Sequence, residues 1–494
     1  MFNIHKLLGS DEMSESNEDQ QTAKKQKKQV NFKLSSFILM LVGIVVITAV
    51  IAVFATIAIS HWASGLNSEQ RASVKKIEQA YKTLDKEYYK PTNSKKLSDA
   101  AIKGMVTKLH DPYSEYMTKE QTKSFNEDVS GDFVGIGAEM QKKHNTIQIT
   151  SPMKDSPAEK AGIKPKDVVT KVDGKSMKGK PLEDVVKKVR GKKGTNVTLT
   201  VERDGQSHDI KIKRDTIHVK SVEYKKHGKV GVFTINKFQS GTSAELKSQI
   251  IKAHKQGVKN IVLDLRNNPG GLLNEAVKMA NIFIDKNKTV VSLEKGKHTE
   301  SIKAPNDALK EAKDMNVAIL VNKGSASSSE VFTGAMKDYH KAKVYGTTTF
   351  GKGIVQTTKE FKDGSLLKYT ELKWLTPHKH YIHGKGIKPN VEIKEPAYQS
   401  LTVIPNNKTY QLNDDNKNVK SIKIGLQALG YNVDNKTTKF DSELQQAVKS
   451  FQGKNNLSTT GKFDKTTNDK FTQQLVQKAN KDESVLDKVI KQLK

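Results

Sequence analysis

The chain has 494 residues, a formal net charge of +30 and no cysteine. That length allows three or four domains, and the absence of cysteine excludes a thiol nucleophile and any dependence on disulfides. The basic balance suits nucleic acid, anionic lipid or an anionic cell wall. No helix-turn-helix, zinc finger or aromatic RNA platform is present, so no nucleic-acid partner is expected.

Residues 1–36 are polar and read as a disordered tail. The run 37–59 (FILMLVGIVVITAVIAVFATIAI) carries no charge and is long enough to span a bilayer. Lys24, Lys25, Lys27, Lys28 and Lys33 precede it and Trp62 follows at interfacial depth. The positive-inside rule then makes the tail cytoplasmic and the rest of the chain extracytoplasmic. A cleaved signal peptide would have a shorter apolar core, of about 7–15 residues, so a retained signal-anchor in the cell membrane is predicted.

Residues 66–118 read as a helical region. Val74, Ile77, Ala80, Tyr81 and Leu84 recur at steps of three and four, Lys90-Pro91 breaks the pattern, and a second helix follows from Ser98 through Ala101, Met105, Val106 and Leu109. The loop His110-Asp111-Pro112-Tyr113-Ser114 closes it. His110, next to a helix end, reads as a cap.

Residues 119–217 contain Phe133-Val134-Gly135-Ile136-Gly137-Ala138, Ser156-Pro157-Ala158-Glu159-Lys160-Ala161-Gly162-Ile163, and Asp167-Val168-Val169 followed by Val172-Asp173-Gly174. This segment resembles a PDZ domain. The resemblance implies that an extended peptide adds to a sheet edge while loop N–H groups at Gly135, Ile136 and Gly137 capture its terminal carboxylate. Leu182, Val185, Val186 and Val189 would border that groove. Arg190 follows them and is the candidate link between the peptide-binding domain and a catalytic site; a surface arginine is the plain alternative.

In residues 218–395 the apolar run Val317–Val321 has strand length. Asn322-Lys323-Gly324 is turn chemistry, and Ser327 stands three residues before Glu330, the spacing of a capping box. Val331, Phe332, Ala335, Met336 and Tyr339 then predict a helix over 328–338. This puts a hydroxyl at a helix N-terminus, where free N–H groups can stabilise an oxyanion. Lys352 lies between Gly351 and Gly353, and burial there would lower its pKa enough to make it a base. Gln356 and Asp338 complete the candidate set. Taken singly, each feature has an ordinary reading: a cap, a solvated loop, an exposed carboxylate.

Together, Gly324-Ser325-Ala326-Ser327-Ser328-Ser329-Glu330, Asp338 and Thr349-Phe350-Gly351-Lys352-Gly353-Ile354-Val355-Gln356 resemble the catalytic block of the carboxy-terminal processing (tail-specific, CtpA-like) serine proteases. The resemblance implies Ser327 as nucleophile, Lys352 as general base, Gln356 as its support and Asp338 as a site residue. Ser328 stands where the family usually has alanine. Asp264-Leu265-Arg266-Asn267-Asn268-Pro269-Gly270-Gly271 resembles a second block of the family, which implies an oxyanion hole from the N–H of Gly270 or its neighbour and that of Ser328. Thr376-Pro377 through Gly386-Ile387-Lys388-Pro389-Asn390 matches a third. Helices placed like those of 66–118 pair protomers in some relatives, so a homodimer is also implied.

Residues 396–415 read as a linker. Residues 416–476 carry Leu426-Gln427, Leu429-Gly430-Tyr431, Phe440-Asp441, Phe451-Gln452 and Gly461-Lys462-Phe463-Asp464, which resemble a helical peptidoglycan-binding module; the partner implied is peptidoglycan or an anionic wall polymer. Residues 477–494 read as a charged tail. The expectation is a multidomain α+β chain: membrane anchor helix, helical N-terminal region, PDZ domain, α/β protease core of the tail-specific type and small helical C-terminal module. Its expected activity is endopeptidase action on exported proteins selected by their C-terminal tails. A non-cleaving, wall-associated scaffold that binds such tails is the alternative. No cofactor is expected, and no metal-ligand spacing such as His-Glu-x-x-His is present.

Overall fold

The computed structural model describes residues 46, 48–53, 65–143 and 145–493. The predicted tail 1–36 lies outside them, as does most of the predicted span 37–59; Val46 and residues 48–53 are helical and exposed. Among the described residues no helix is long and apolar enough to cross a membrane. They fall into two units divided between Ser98 and Asp99. In the first, the helix Ser68–Glu87 opens with an Asn67/Gln70 capping box and buries no residue of its own. Val74, Ile77 and Leu84, the stripe that its periodicity picks out, are all about half exposed.

The second unit is multidomain α/β, and its centre follows from strict alternation. Val317, Ile319 and Val321 pack into one apolar cluster with the helices Thr242–Lys255, Leu273–Ala280 and Ser328–Asp338. Ala318 and Leu320, pointing the other way, join a second cluster. A strand covered on both faces needs apolar residues at every position, which is why this run is unbroken. It sits in a six-stranded sheet ordered Val222–His227, Val230–Ile235, Asn260–Asp264, Asn316–Val321, Lys343–Gly346, Val391–Glu392. The first pair is antiparallel and the rest parallel.

The second face is covered by the helix Ser484–Leu493, through Val485, Leu486, Val489 and Ile490. The segment 477–494, read from sequence as a charged helical tail, thus contains a helix that packs on the core. Asp487, Lys488 and Lys491 face outward, while an apolar stripe at helical spacing seals the sheet. Asn260 Nδ2 donates to the Leu493 carbonyl at 2.9 Å and ties the end down.

A five-stranded sheet stands beside this core, with Glu115–Met117, Leu366–Leu375, Thr289–Lys295 and His298–Lys303 in order and Ile354–Glu360 also paired to Leu366–Leu375. The 119–217 segment forms its own sheet around Ile147, Val169, Leu199 and Val201. Ala138–Lys143 is an edge strand of that sheet, and the helix Leu182–Val189 packs near it. The C-terminal module is three helices, Lys417–Ala428, Ser442–Lys454 and Lys465–Ala479, around Phe440, Phe451 and Phe471. Ile404 and Tyr410, from the predicted linker, are buried in that core. So is Lys423, whose ammonium donates to Thr437 at 2.8 Å and pairs with Asp441. A buried charge is tolerable only when paired in this way.

Candidate active site

Two loops at the C-terminal ends of adjacent parallel strands build the site. Asn260–Asp264 runs into Asn267-Asn268-Pro269-Gly270-Gly271, and Asn316–Val321 into the serine cluster. They are stitched together. Ser325 Oγ donates to the Leu265 carbonyl at 2.7 Å, Ser328 Oγ to the Gly271 carbonyl at 2.9 Å and Ser329 Oγ to the Asn268 carbonyl at 2.9 Å. These three serines are buried and their hydroxyls are spent on carbonyl oxygens. Ser327 alone of the cluster is half-buried. It sits at φ 55°, in the left-handed region, immediately before the helix Ser328–Asp338. A non-glycine residue there carries local strain that its surroundings must hold.

Glu330 supplies that hold. Its side chain is fully buried. One carboxylate oxygen accepts from the Ser327 N–H at 2.9 Å and the Lys352 N–H at 2.8 Å. The other accepts from Thr349 Oγ1 at 2.6 Å and the Gly351 N–H at 2.7 Å. A single carboxylate thus fixes the backbones of Ser327 and Lys352 against each other. The capping-box spacing pointed to Glu330, but only as a helix cap; its reach to Gly351 and Lys352 depends on the fold.

Ser327, Ser328, Gly271, Lys352 and Gln356 line one cavity of about 430 Å³, walled by Phe125, Val129, Leu272, Leu273, Val331 and Trp374. Burial in this apolar setting lowers the Lys352 pKa below that of an ordinary lysine, and the Lys368 ammonium adds to the effect; Asp111 and Glu330 oppose it. The flanking glycines are sterically required. A Cβ on Gly351 would lie 2.8 Å from the Gly386 nitrogen, and one on Gly353 2.8 Å from that of His383. The Lys352 carbonyl accepts from Trp374 Nε1 at 2.8 Å. Gln356 lies in the same cavity, with Nε2 donating to Thr370 Oγ1 at 3.3 Å.

Two expected site residues fall elsewhere. Asp338 is at the far end of the helix that starts after Ser327, about three turns away. Its Oδ2 accepts from the His378 N–H at 2.8 Å, so it anchors the loop after Leu366–Leu375 and does not line the cavity. The Gly270 N–H already has an acceptor, donating to Asn268 Oδ1 at 2.9 Å, which among the described residues leaves its neighbour Gly271 as the free donor of the pair. Gly270 instead lets the loops touch: at φ 98°, its Cβ would lie 2.9 Å from the Ser328 nitrogen. Among the described residues no acceptor is found for the N–H of Gly271 or of Ser328, and both residues line the cavity.

In the PDZ-like segment the buried Gly135 ends the strand Asp132–Gly135, and the buried Ile136 and Gly137 connect it to the edge strand Ala138–Lys143. Arg190 is not on that strand. Its guanidinium pairs with Glu127 at 2.5 Å and stacks over Phe133 at 5.2 Å. Glu127 belongs to the helix Lys119–Ser130, whose Phe125, Asn126 and Val129 line the catalytic cavity. The arginine therefore touches the element that joins the two domains.

Comparisons with known proteins identify the family. Family models match at 229–393 (peptidase family S41), 53–121 (activating protease CtpB N-terminal domain), 148–203 (PDZ domain) and 415–471 (putative peptidoglycan binding domain). A probable CtpA-like serine protease of Staphylococcus saprophyticus is 74% identical over 467 residues, covering 94% of this chain and 95% of the relative. One from Staphylococcus aureus is 67% identical, covering 99% of each. Among solved structures, a photosystem II D1 C-terminal processing protease is 25% identical with a TM-score of 0.40, covering 67% of this chain and 94% of that one. The chain belongs to peptidase family S41, among the CtpA-like C-terminal processing serine proteases.

Proposed function

We propose that this serine endopeptidase cuts exported proteins that its PDZ domain selects by their C-terminal tails, with Ser327 as nucleophile and Lys352 as general base. The observation that carries the reading is the Glu330 carboxylate, which holds the Ser327 and Lys352 backbones together beside one apolar cavity. Neutral Lys352 takes the hydroxyl proton as Ser327 Oγ attacks the scissile carbonyl carbon. The developing oxyanion is met by the N–H groups of Ser328 and Gly271. The ammonium of Lys352 then returns its proton to the leaving amine, and water hydrolyses the acyl-enzyme. Gln356 supports the base from the same wall.

The edge strand Ala138–Lys143 supports tail capture by strand addition. The test is an unfolded substrate with an apolar tail, free or amidated at its end. The free tail should be cut about tenfold faster at limiting substrate, the effect of losing roughly 1.4 kcal/mol of carboxylate recognition. Equal rates would remove the tail-reading role, and tight binding without any cutting would favour the scaffold.

The site of action in this reading is the outer face of the cell membrane, through a span at 37–59. Deleting that span should move the chain from the membrane fraction to the soluble fraction; retention after deletion would contradict it.

A further inference from the structure

The loop Asp111–Ser114 lies outside the S41 segment, within the part that matches the N-terminal domain model, yet it reaches the site. The Tyr113 ring centroid is 4.9 Å from Lys352 Nζ. The loop is built to keep it there. Asp111 Oδ1 accepts from the Tyr113 N–H at 3.0 Å and Oδ2 from Ser114 Oγ at 2.6 Å. Ser114 Oγ accepts in turn from the Thr370 N–H at 3.0 Å, and Thr370 Oγ1 accepts from Gln356. The strand that follows, Glu115–Met117, is hydrogen-bonded to Leu366–Leu375. The loop runs directly into one strand of this sheet, Lys352 stands two residues ahead of another, and Gln356 lies within that second strand.

A lysine base has two conflicting needs. It must be neutral at rest, and it must hold a positive charge once the serine proton arrives. A carboxylate beside the amine would serve the second need and defeat the first. An aromatic face stabilises the ammonium without a formal charge. We propose that Tyr113 is a positioning residue of this protease, whose ring holds the Lys352 amine in place and stabilises the ammonium formed during proton transfer. This rests on the reading of Lys352 as the general base. The charged groups that face Lys352 are Lys368 from the strand Leu366–Leu375, Glu330 from the helix Ser328–Asp338 and Asp111 from the loop itself. Lys368 disfavours the ammonium. The two carboxylates favour it, but Asp111 is committed to Tyr113 and Ser114 and Glu330 to four donors of the backbone and Thr349.

The test is the pH profile of kcat for the full chain on an unfolded substrate with an apolar tail, for wild type, Tyr113→Phe, Tyr113→Leu and Lys352→Ala. Tyr113→Phe keeps the ring and should match wild type within about twofold. Tyr113→Leu keeps apolar bulk but loses the ring face. Its plateau kcat should fall about fivefold, and the acid limb should move down by roughly one pH unit, because an ammonium without its ring loses its proton at lower pH. KM should not change. The midpoint of the limb does not depend on how much of the variant is folded, so a poorly folding Tyr113→Leu still gives an answer. A wild-type midpoint in Tyr113→Leu, or a Tyr113→Phe as impaired as Tyr113→Leu, overturns the role of Tyr113. Wild-type activity in Lys352→Ala would instead overturn the base assignment beneath it.

Discussion

Lys352→Arg should lower kcat by about four orders of magnitude while leaving the fold intact, because a guanidinium in a protein cannot give up its proton and so cannot act as base. The substitution keeps a long side chain of similar reach but fixes it in the charged form, which separates loss of basicity from loss of packing. The same logic sets the pH dependence of the wild type. With Lys352 as the proposed base, cleavage needs the neutral amine, so kcat should rise with pH through the pKa of Lys352. That pKa lies below the ordinary lysine value of about 10.4 because the amine is buried and Lys368 repels its charge. Lys368, itself paired with Glu115 at 3.2 Å, is a tuning group that can be removed. Lys368→Met takes away like-charge repulsion, so the Lys352 pKa should rise and the acid limb should move to higher pH. A limb that stayed in place or moved down would show that Lys368 does not act on the base.

Glu330→Gln should cost both stability and turnover. The two carboxylate oxygens accept four hydrogen bonds, two each. A glutamine amide has one oxygen, so whichever way it lies its NH₂ faces two donors. Either the Ser327 and Lys352 N–H groups or the Thr349 hydroxyl and the Gly351 N–H lose their acceptor. Leaving buried donors unpaired costs about 1–3 kcal/mol. Displacing a nucleophile held at φ 55° should lower kcat about a hundredfold. Thermal melting reads the first effect and steady-state kinetics the second. An unchanged kcat in a destabilised protein would reduce Glu330 to an ordinary buried cap.

What the sequence displayed were the local parts of this arrangement. The unbroken run Val317–Val321, the turn after it and the Ser-x-x-Glu spacing are short-range signals, and strand, loop and helix follow them. Gly351 and Gly353 were likewise legible as places where the backbone is approached closely. The parts that escaped depend on which loops meet. The resemblance singled out Ser327, but the physical reason, the hydroxyl partners that the Leu265–Gly271 loop gives Ser325, Ser328 and Ser329, depends on the fold. Which of the Gly270 and Gly271 N–H groups is left free also depends on the loop, because Asn268 folds back and accepts from Gly270. Asp338 keeps the family spacing from Ser327, yet a straight helix carries it out of the cavity. The packing of the terminal helix was masked by its charge, since average composition hides four apolar residues on one face. Tyr113 and Lys352 are far apart in sequence, and only the pairing of Glu115–Met117 with Leu366–Leu375 brings them together.

The central claim is that one serine of the cluster, paired with one lysine, cuts the peptide. The most direct measurement is cleavage of an unfolded, apolar-tailed substrate by single alanine variants at Ser325, Ser327, Ser328 and Ser329. The account predicts that only Ser327→Ala falls by about four orders of magnitude or more, while the other three lose packing and stability and keep measurable turnover. Wild-type cleavage by Ser327→Ala, or a loss of that size at Ser325, Ser328 or Ser329 with Ser327→Ala still active, would contradict it.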